Sequence, residues 1–394
     1  MSRNRNKSSA KANENKDMKD NGAPGLILVP NNNGKIHESS DISSKYLNIS
    51  AQNVKLVSES SGRISFRSFF VIFLALNALV SVYNHIDDTD ETFGYWEPLH
   101  YLAFGRGMQT WEYAPQFAIR TYAFIVPMLP VTLFYQWAGL SKIEIFHGLR
   151  LVLATLTAYS EASFLDAVQS THGTACMRMT ALFLAFSPGI LVAATAFLPS
   201  AVIMSFVMLS AACWMHGQNM RCVFWGCVAV LLTGWPYVGV VFLPMGIAML
   251  VTTMRVQDTF GIMRLVCGVL LCAAVTAAIA CGIDRYYYGS FTIPSINAFQ
   301  YNAGGSGDNL YGIEPLSYYI RNLALTMGLA WPLAAAAPVM ILRELQASSQ
   351  RNGSCSSGDA TQPSRTVCNV VLATSAVAWL ALLFSRPHKE ERFL

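Results

Sequence analysis

DDTDETFGYWEPLHYLAFGRGMQTWEYAPQFAIRTY, Asp87 to Tyr122, follows almost directly on the apolar run FFVIFLALNALVSVY, Phe69 to Tyr83. Only Asn84, His85 and Ile86 lie between them. A carboxylate at a bilayer centre costs roughly 2.5–3.5 kcal/mol on insertion scales, so Asp87, Asp88, Asp90 and Glu91 must sit outside the hydrocarbon or in a wet cavity. The apolar run therefore reads as a membrane span, and the acidic stretch as the loop it delivers to one membrane face. Aromatics (Phe93, Tyr95, Trp96, Tyr101, Phe104, Trp111, Tyr113, Phe117, Tyr122) alternate with the charges. Such rings lie flat at an interface and stack on the apolar faces of sugars. Composition alone is satisfied as well by an interfacial aromatic belt beside a solvated acidic loop.

The whole chain supports the membrane reading. Of its 394 residues, 53% are hydrophobic and 13% charged, with mean hydropathy +0.37. Soluble domains carry about 25% charged residues. The basic excess lies at the start, with 11 Lys and Arg against 6 Asp and Glu in residues 1–67, and 16 against 17 beyond. A body without a basic patch excludes nucleic acid as an expected partner. None of the nine cysteines forms a C-x-x-C pair, and the five-residue steps Cys222/Cys227 and Cys267/Cys272 suit neither a zinc knuckle nor a redox motif. They read as packing residues.

Residues 1–62, rich in Asn, Ser, Lys and Gly, read as a disordered cytosolic tail without a signal peptide. Residues 63–394 read as an all-α polytopic membrane domain of about nine transmembrane helices. Their expected positions are 69–83, 122–140, 145–168, three between 176 and 251 (four if shorter), 265–283, 320–342 and 367–384. Arg63 and Arg67 put the first helix's start in the cytosol, and counting crossings then puts residues of about 85–121, 284–319 and 385–394 on the lumenal side. Glu161 and Asp166, costly in lipid, are expected to face protein or to sit near the lumenal end. A polytopic transporter would satisfy the same spans, although no internal repeat is present and the charges gather in loops.

The order of residues goes further than composition. DETFGYWEP (90–98), QTWEY (109–113), AIRTY (118–122), the opening DRYYYG (284–289), LYGIEP (310–315) and the closing HKEERF (388–393) resemble the endoplasmic-reticulum mannosyltransferases that use dolichyl-phosphate mannose. Within that family they are most similar to α-1,2-mannosyltransferases of N-glycan precursor assembly. The family's usual tryptophan is replaced by Leu316 here. The resemblance runs from about Arg67 to Leu394, with relatives continuing through further spans, so an incomplete and inactive form is an alternative. Mannosyltransferases of α-1,6 type or of glycolipid-anchor assembly are others.

The resemblance implies a GT-C type architecture and inverting transfer of mannose from dolichyl-phosphate mannose to a dolichyl-diphosphate oligosaccharide, at a lumenal active site in the endoplasmic-reticulum membrane. Asp90 would be the base for the acceptor hydroxyl, with Glu91 orienting it or exchanging roles with it. His388, Lys389, Arg392 and Arg120 would bind the departing phosphate, since arginine forks and lysine point charges suit phosphate oxygens. Trp96, Glu97, Trp111, Glu112, Tyr311 and Glu314 would line the acceptor side. Asp88-Thr89-Asp90 is a D-x-D sequence that holds a divalent ion in nucleotide-sugar transferases, but members of the resembled family generally work without one. No metal and no cofactor are therefore expected.

Overall fold

The structure is a computed structural model describing residues 63–86, 88–256, 259–303, 313–350 and 362–385. The predicted tail, Tyr311, and the His388, Lys389 and Arg392 segment lie outside the described residues. The described residues are mostly helical, without strands. The long or apolar helices are α1 (Phe66–Tyr83), α2 (Lys142–His172), α3 (Thr174–Phe186), α4 (Pro188–Ala193), α5 (Pro199–Met215), α6 (Asn219–Cys227), α7 (Gly239–Arg255), α8 (Thr259–Tyr288), α9 (Ser317–Met327), α10 (Ala330–Gln350) and α11 (Arg365–Ser385).

Among the described residues, five helices are long and apolar enough to cross a membrane: α1, α2, Pro236–Arg255, α8 and α11. Counting α9 with α10, which meet at a bend of 108°, makes six. Their apolar side chains face outward as a lipid-immersed surface requires. On α8, for example, Leu270, Leu271, Val275 and Ile279 are all exposed. Against the expectation of about nine spans, five or six helices have full length among the described residues, and Thr174–Phe186, Pro199–Met215 and Asn219–Leu232 are apolar but shorter.

Polar contacts fix which helix ends lie together. Gln169 exchanges hydrogen bonds with the Ile64 backbone (3.0 and 2.9 Å), while Arg150 donates to the Asn84 carbonyl (2.6 Å), so α1 and α2 run antiparallel. Asn84 also reaches the Val192 carbonyl, and Phe197 reaches Glu91, which brings the junction of α4 and α5 back to the acidic loop. At the far end of α5, His216 lies 3.4 Å from Asp166, which also meets Arg63. The Asp284 end of α8 binds Thr121 of the loop, and Asn369 near the start of α11 meets His172 at the opposite end.

This arrangement corrects the expected second span. Residues 122–140 form Tyr122–Ile125, a 3-10 turn Val126–Met128 and Leu129–Trp137, interrupted by Pro127 and Pro130. They do not carry the chain to the other end. Lys142 Nζ lies 2.9 Å from His100 Nε2 of the acidic loop, so α2 begins where α1 finishes. Ser141 fixes that start with a capping box, accepting from the Glu144 amide while its own amide donates to Glu144. One crossing is lost there, and Thr174–Phe186, Pro199–Met215, Asn219–Leu232 and Pro236–Arg255 make four apolar segments where three or four were expected.

Two apolar cores flank these ties. One joins α1, α2, α5 and α11 through Phe69, Phe73, Leu165, Met215, Cys368 and their neighbours. The other joins the acidic loop to α2 and α5 through Tyr95, Leu99 and Tyr113 with Leu149, Leu153 and Ala201. Glu161 faces protein as anticipated, accepting a 2.8 Å hydrogen bond from Asn77.

Candidate active site

The acidic loop is built around Arg120. Asp88 caps the short helix Thr89–Glu91 by accepting from the Asp90 amide (2.8 Å), the usual task of an aspartate at a helix start. A π turn, Thr92–Trp96, follows and leads into the helix Glu97–Phe104, whose second position is Pro98. Pro115 lies in a turn after the 3-10 turn Trp111–Tyr113. Ala118 holds a left-handed φ of 41° just before Arg120, with Asn297 donating to its carbonyl. From the other side, Tyr288 donates to the Arg120 carbonyl (2.6 Å), and Asp284 accepts from Thr121 and from the Tyr122 amide.

Arg120 spends its fork on two carboxylates, Nη2 on Asp90 Oδ2 (2.9 Å) and Nε on Glu112 Oε2 (2.5 Å), with its guanidinium 4.9 Å over the Tyr95 ring. Burial alone would lower its pKa, but Tyr95, Glu112 and Asp90 together hold it well above the ordinary arginine value. Gly94 makes room for it. A Cβ there would stand 2.6 Å from Arg120 Nη1, so the π turn needs glycine at this position.

Asp90 and Glu91 are neighbours with different surroundings. The Asp90 side chain is 36% exposed. Glu91 is buried, its Oε1 accepting from the Trp96 indole (2.8 Å) and the Phe197 amide (2.9 Å). Burial raises its pKa despite those two donors and nearby Arg150. Glu91 therefore fastens the loop to the start of α5.

Below these acids lies a cavity of about 1160 Å³. Asp88, Asp90, Glu91 and Arg150 line one part of it, and its remaining wall is mainly apolar, from α4, α5, α7, α9 and α11. Ser375 and Trp379 of α11 share this wall with Asp90. A polar mouth over an apolar hollow can hold an amphiphile with its charged group at the acids.

Of the residues expected on the acceptor side, Trp96, Glu97, Trp111, Glu112 and Glu314 do not line this cavity. Trp96 packs on Phe146 and Phe197, 4.9 Å from each ring, and Glu97 accepts from the Met108 amide. Glu112 is engaged with Arg120 and Thr110. Trp111 is more open, 43% exposed and close to Phe117 and Tyr301, and Glu314 is exposed. Arg120 does not line the cavity either; its donors face Asp90 and Glu112. Among the described residues no group of three His, Cys, Asp or Glu side chains is placed to hold a metal ion. The D-x-D carboxylates have other partners, Asp88 as a cap and Asp90 on Arg120.

No role for Arg150, Asp284 or Asn84 was legible in the sequence, although Asp284 opens the DRYYYG stretch. Arg150 sits within an apolar run, where an isolated arginine is itself a signal. The importance of Asp284 depends on a contact 163 residues away, which no local pattern exposes.

Fold and site together define a polytopic helical membrane protein that presents an acidic loop over an amphiphile-sized cavity. Comparison with known sequences gives the family. The family model of Alg9-like mannosyltransferases matches residues 68–394, and the chain belongs to that family. It is 32% identical over 332 residues to the Alpha-1,2-mannosyltransferase Alg9 of Drosophila melanogaster, covering 84% of this chain and 51% of the relative. It is 34% identical to algn-9 of Caenorhabditis elegans (84% of this chain, 53% of the relative) and 33% identical to human ALG9 (82% and 51%). The chain thus spans about half the length of these relatives. No solved structure matches it.

Proposed function

We propose that this chain carries the donor-side machinery of an inverting α-1,2-mannosyltransferase, moving mannose from dolichyl-phosphate mannose to a dolichyl-diphosphate oligosaccharide in N-glycan precursor assembly. The carrying observation is the half-buried Asp90 carboxylate, held by Arg120, at the polar part of a mainly apolar cavity. The acceptor hydroxyl oxygen bonds to the anomeric carbon of mannose as that carbon's bond to the phosphate oxygen breaks. Asp90 takes the hydroxyl proton, and dolichyl phosphate leaves with the electron pair. Attack opposite the leaving phosphate inverts the anomeric centre. Glu91 and Arg120 position Asp90, and His388, Lys389 and Arg392 meet the leaving phosphate from the segment beyond α11. Trp111, Tyr311 and Glu314 contribute to the acceptor side. No metal is needed in this scheme.

The same reading places the acidic loop in the endoplasmic-reticulum lumen, in a GT-C type architecture with nine crossings when the broken helices α3–α4, Asn219–Leu232 and α9–α10 each count as one. Membership of a mannosyltransferase family supports group transfer over solute transport, and relatives named as α-1,2 enzymes support that linkage over α-1,6. The test is complementation of cells lacking the α-1,2 enzyme by the full chain, read as lipid-linked oligosaccharide size. Rescue by wild type and accumulation of the six-mannose precursor with Asp90→Asn are expected. A stably expressed wild type that leaves the precursor unextended overturns the reading.

A further inference from the structure

Arg150 is a buried cation with no carboxylate hydrogen-bonded to it; the Phe146 ring, 5.5 Å from its Cζ, and the charge of Glu91 answer it only in part. It is 3% exposed, in an apolar stretch of α2, and it lines the cavity beside Asp88, Asp90 and Glu91. Its two hydrogen bonds go to neutral acceptors, the Asn84 carbonyl (2.6 Å) and the Thr195 hydroxyl (2.8 Å). Its Nε is fully buried and has no hydrogen-bond partner. Glu91, whose charge acts on Arg150, spends Oε1 on the Trp96 indole and the Phe197 amide. A buried guanidinium without a hydrogen-bonded anion is costly, and such groups in membrane proteins ordinarily serve a ligand.

The surroundings specify the ligand. The two neutral bonds aim the fork much as a pocket aims a phosphate-binding arginine, and the remaining donors suit an oxyanion. The adjoining wall, with Ile190, Met204, Met208 and Leu325, suits a hydrocarbon chain. We propose that Arg150 binds the phosphate of a prenyl-linked phosphate seated in this cavity, its chain running along the apolar wall. This rests on the mannosyl-transfer reading and assigns to Arg150 the part that the sequence offered to Arg120, whose fork is already closed on Asp90 and Glu112.

The test measures binding, so it does not depend on turnover. The purified full chain in detergent is titrated with farnesyl phosphate, farnesyl diphosphate and farnesol. Wild type is expected to prefer the monophosphate over the alcohol, and over the diphosphate if the occupant is the donor rather than the acceptor lipid. Arg150→Gln should weaken phosphate binding about 10- to 100-fold, the loss of a charge-assisted pair, with farnesol binding unchanged. Arg150→Lys should lie between, because the charge stays and the fork is lost. Site number read from the same titration separates misfolding, which lowers it, from a true change in Kd. If either folded variant binds farnesyl phosphate as tightly as wild type, the assignment to Arg150 fails while the donor reading stands. If wild type does not distinguish phosphate from alcohol, both fail.

Discussion

Around Arg120 the loop is tied by short polar contacts from several directions: Asp90, Glu112, the Tyr288 hydroxyl on its carbonyl and Asp284 on the two residues that follow. The cavity wall beneath is assembled differently, from apolar side chains on helices broken at Pro188 and bent by 108° between α9 and α10. There, contact depends on closeness. A Cβ on Gly189 would come within 2.9 Å of Thr326 Cβ. The contrast is chemical: a group that moves a proton must be held to a fraction of an ångström, whereas a lipid chain needs only an apolar trough of adequate length. Directional bonds supply the first, and non-directional packing the second.

The comparison breaks most sharply at Asp90. Asp90→Asn should reduce mannosyl transfer by about 10²- to 10⁴-fold with the melting temperature nearly unchanged, measured with purified chain and both lipid substrates. A mutant within threefold of wild type would mean that this carboxylate is not the base.

Next in size is the tie that aims it. Arg120→Gln is expected to lower turnover by about 10²-fold, since Asp90 and Glu112 would both lose their cation. Gly94→Ala should lower it less, about 10-fold, by pushing a Cβ against Nη1. If Gly94→Ala is fully active, the loop tolerates a displaced Arg120 and is less rigid than its hydrogen bonds imply.

Glu91 should answer in stability before activity. Glu91→Ala leaves the Trp96 indole and Phe197 amide without an acceptor, at a cost of about 2–4 kcal/mol. Glu91→Gln retains an acceptor and should cost about 1 kcal/mol or less. Burial holds the Glu91 carboxyl above its ordinary value of 4.5, so the folded chain keeps a proton that the unfolded chain releases. That contribution to stability is complete below pH 4.5 and is lost as pH rises through the folded value. Thermal unfolding from acid to neutral pH should therefore slope downward more steeply for wild type than for Glu91→Gln, and equal slopes would contradict it.

The smallest expected signal concerns sidedness. Asn352-Gly353-Ser354, outside the described residues, is a glycosylation sequon between the expected spans 320–342 and 367–384, in a link that the count of crossings assigns to the cytosol. Glycosidase treatment should leave the chain's mobility unchanged through this site, whereas a glycan on Asn352 would invert the assignment of the two faces.

Much of this was legible in the chain. Residue types alone showed the membrane class, because 13% charge cannot cover a soluble surface, and showed that the acids after Tyr83 lie at a membrane face. The order DETFGYWEP carried the family. Hydropathy misread 122–140, since an apolar run broken by Pro127 and Pro130 is as hydrophobic as a span while being unable to run straight.

What the sequence determined by itself was the solvent each segment requires, because transfer free energy belongs to side chains one by one. Only the tertiary structure decided which ionisable groups meet: Arg120 with Asp90 rather than with a ligand, Asp284 with Thr121, and Arg150 with the cavity. Those pairings join residues 30 to 163 positions apart, and a charge's role depends on what lies within a few ångströms of it, a distance that only folding sets.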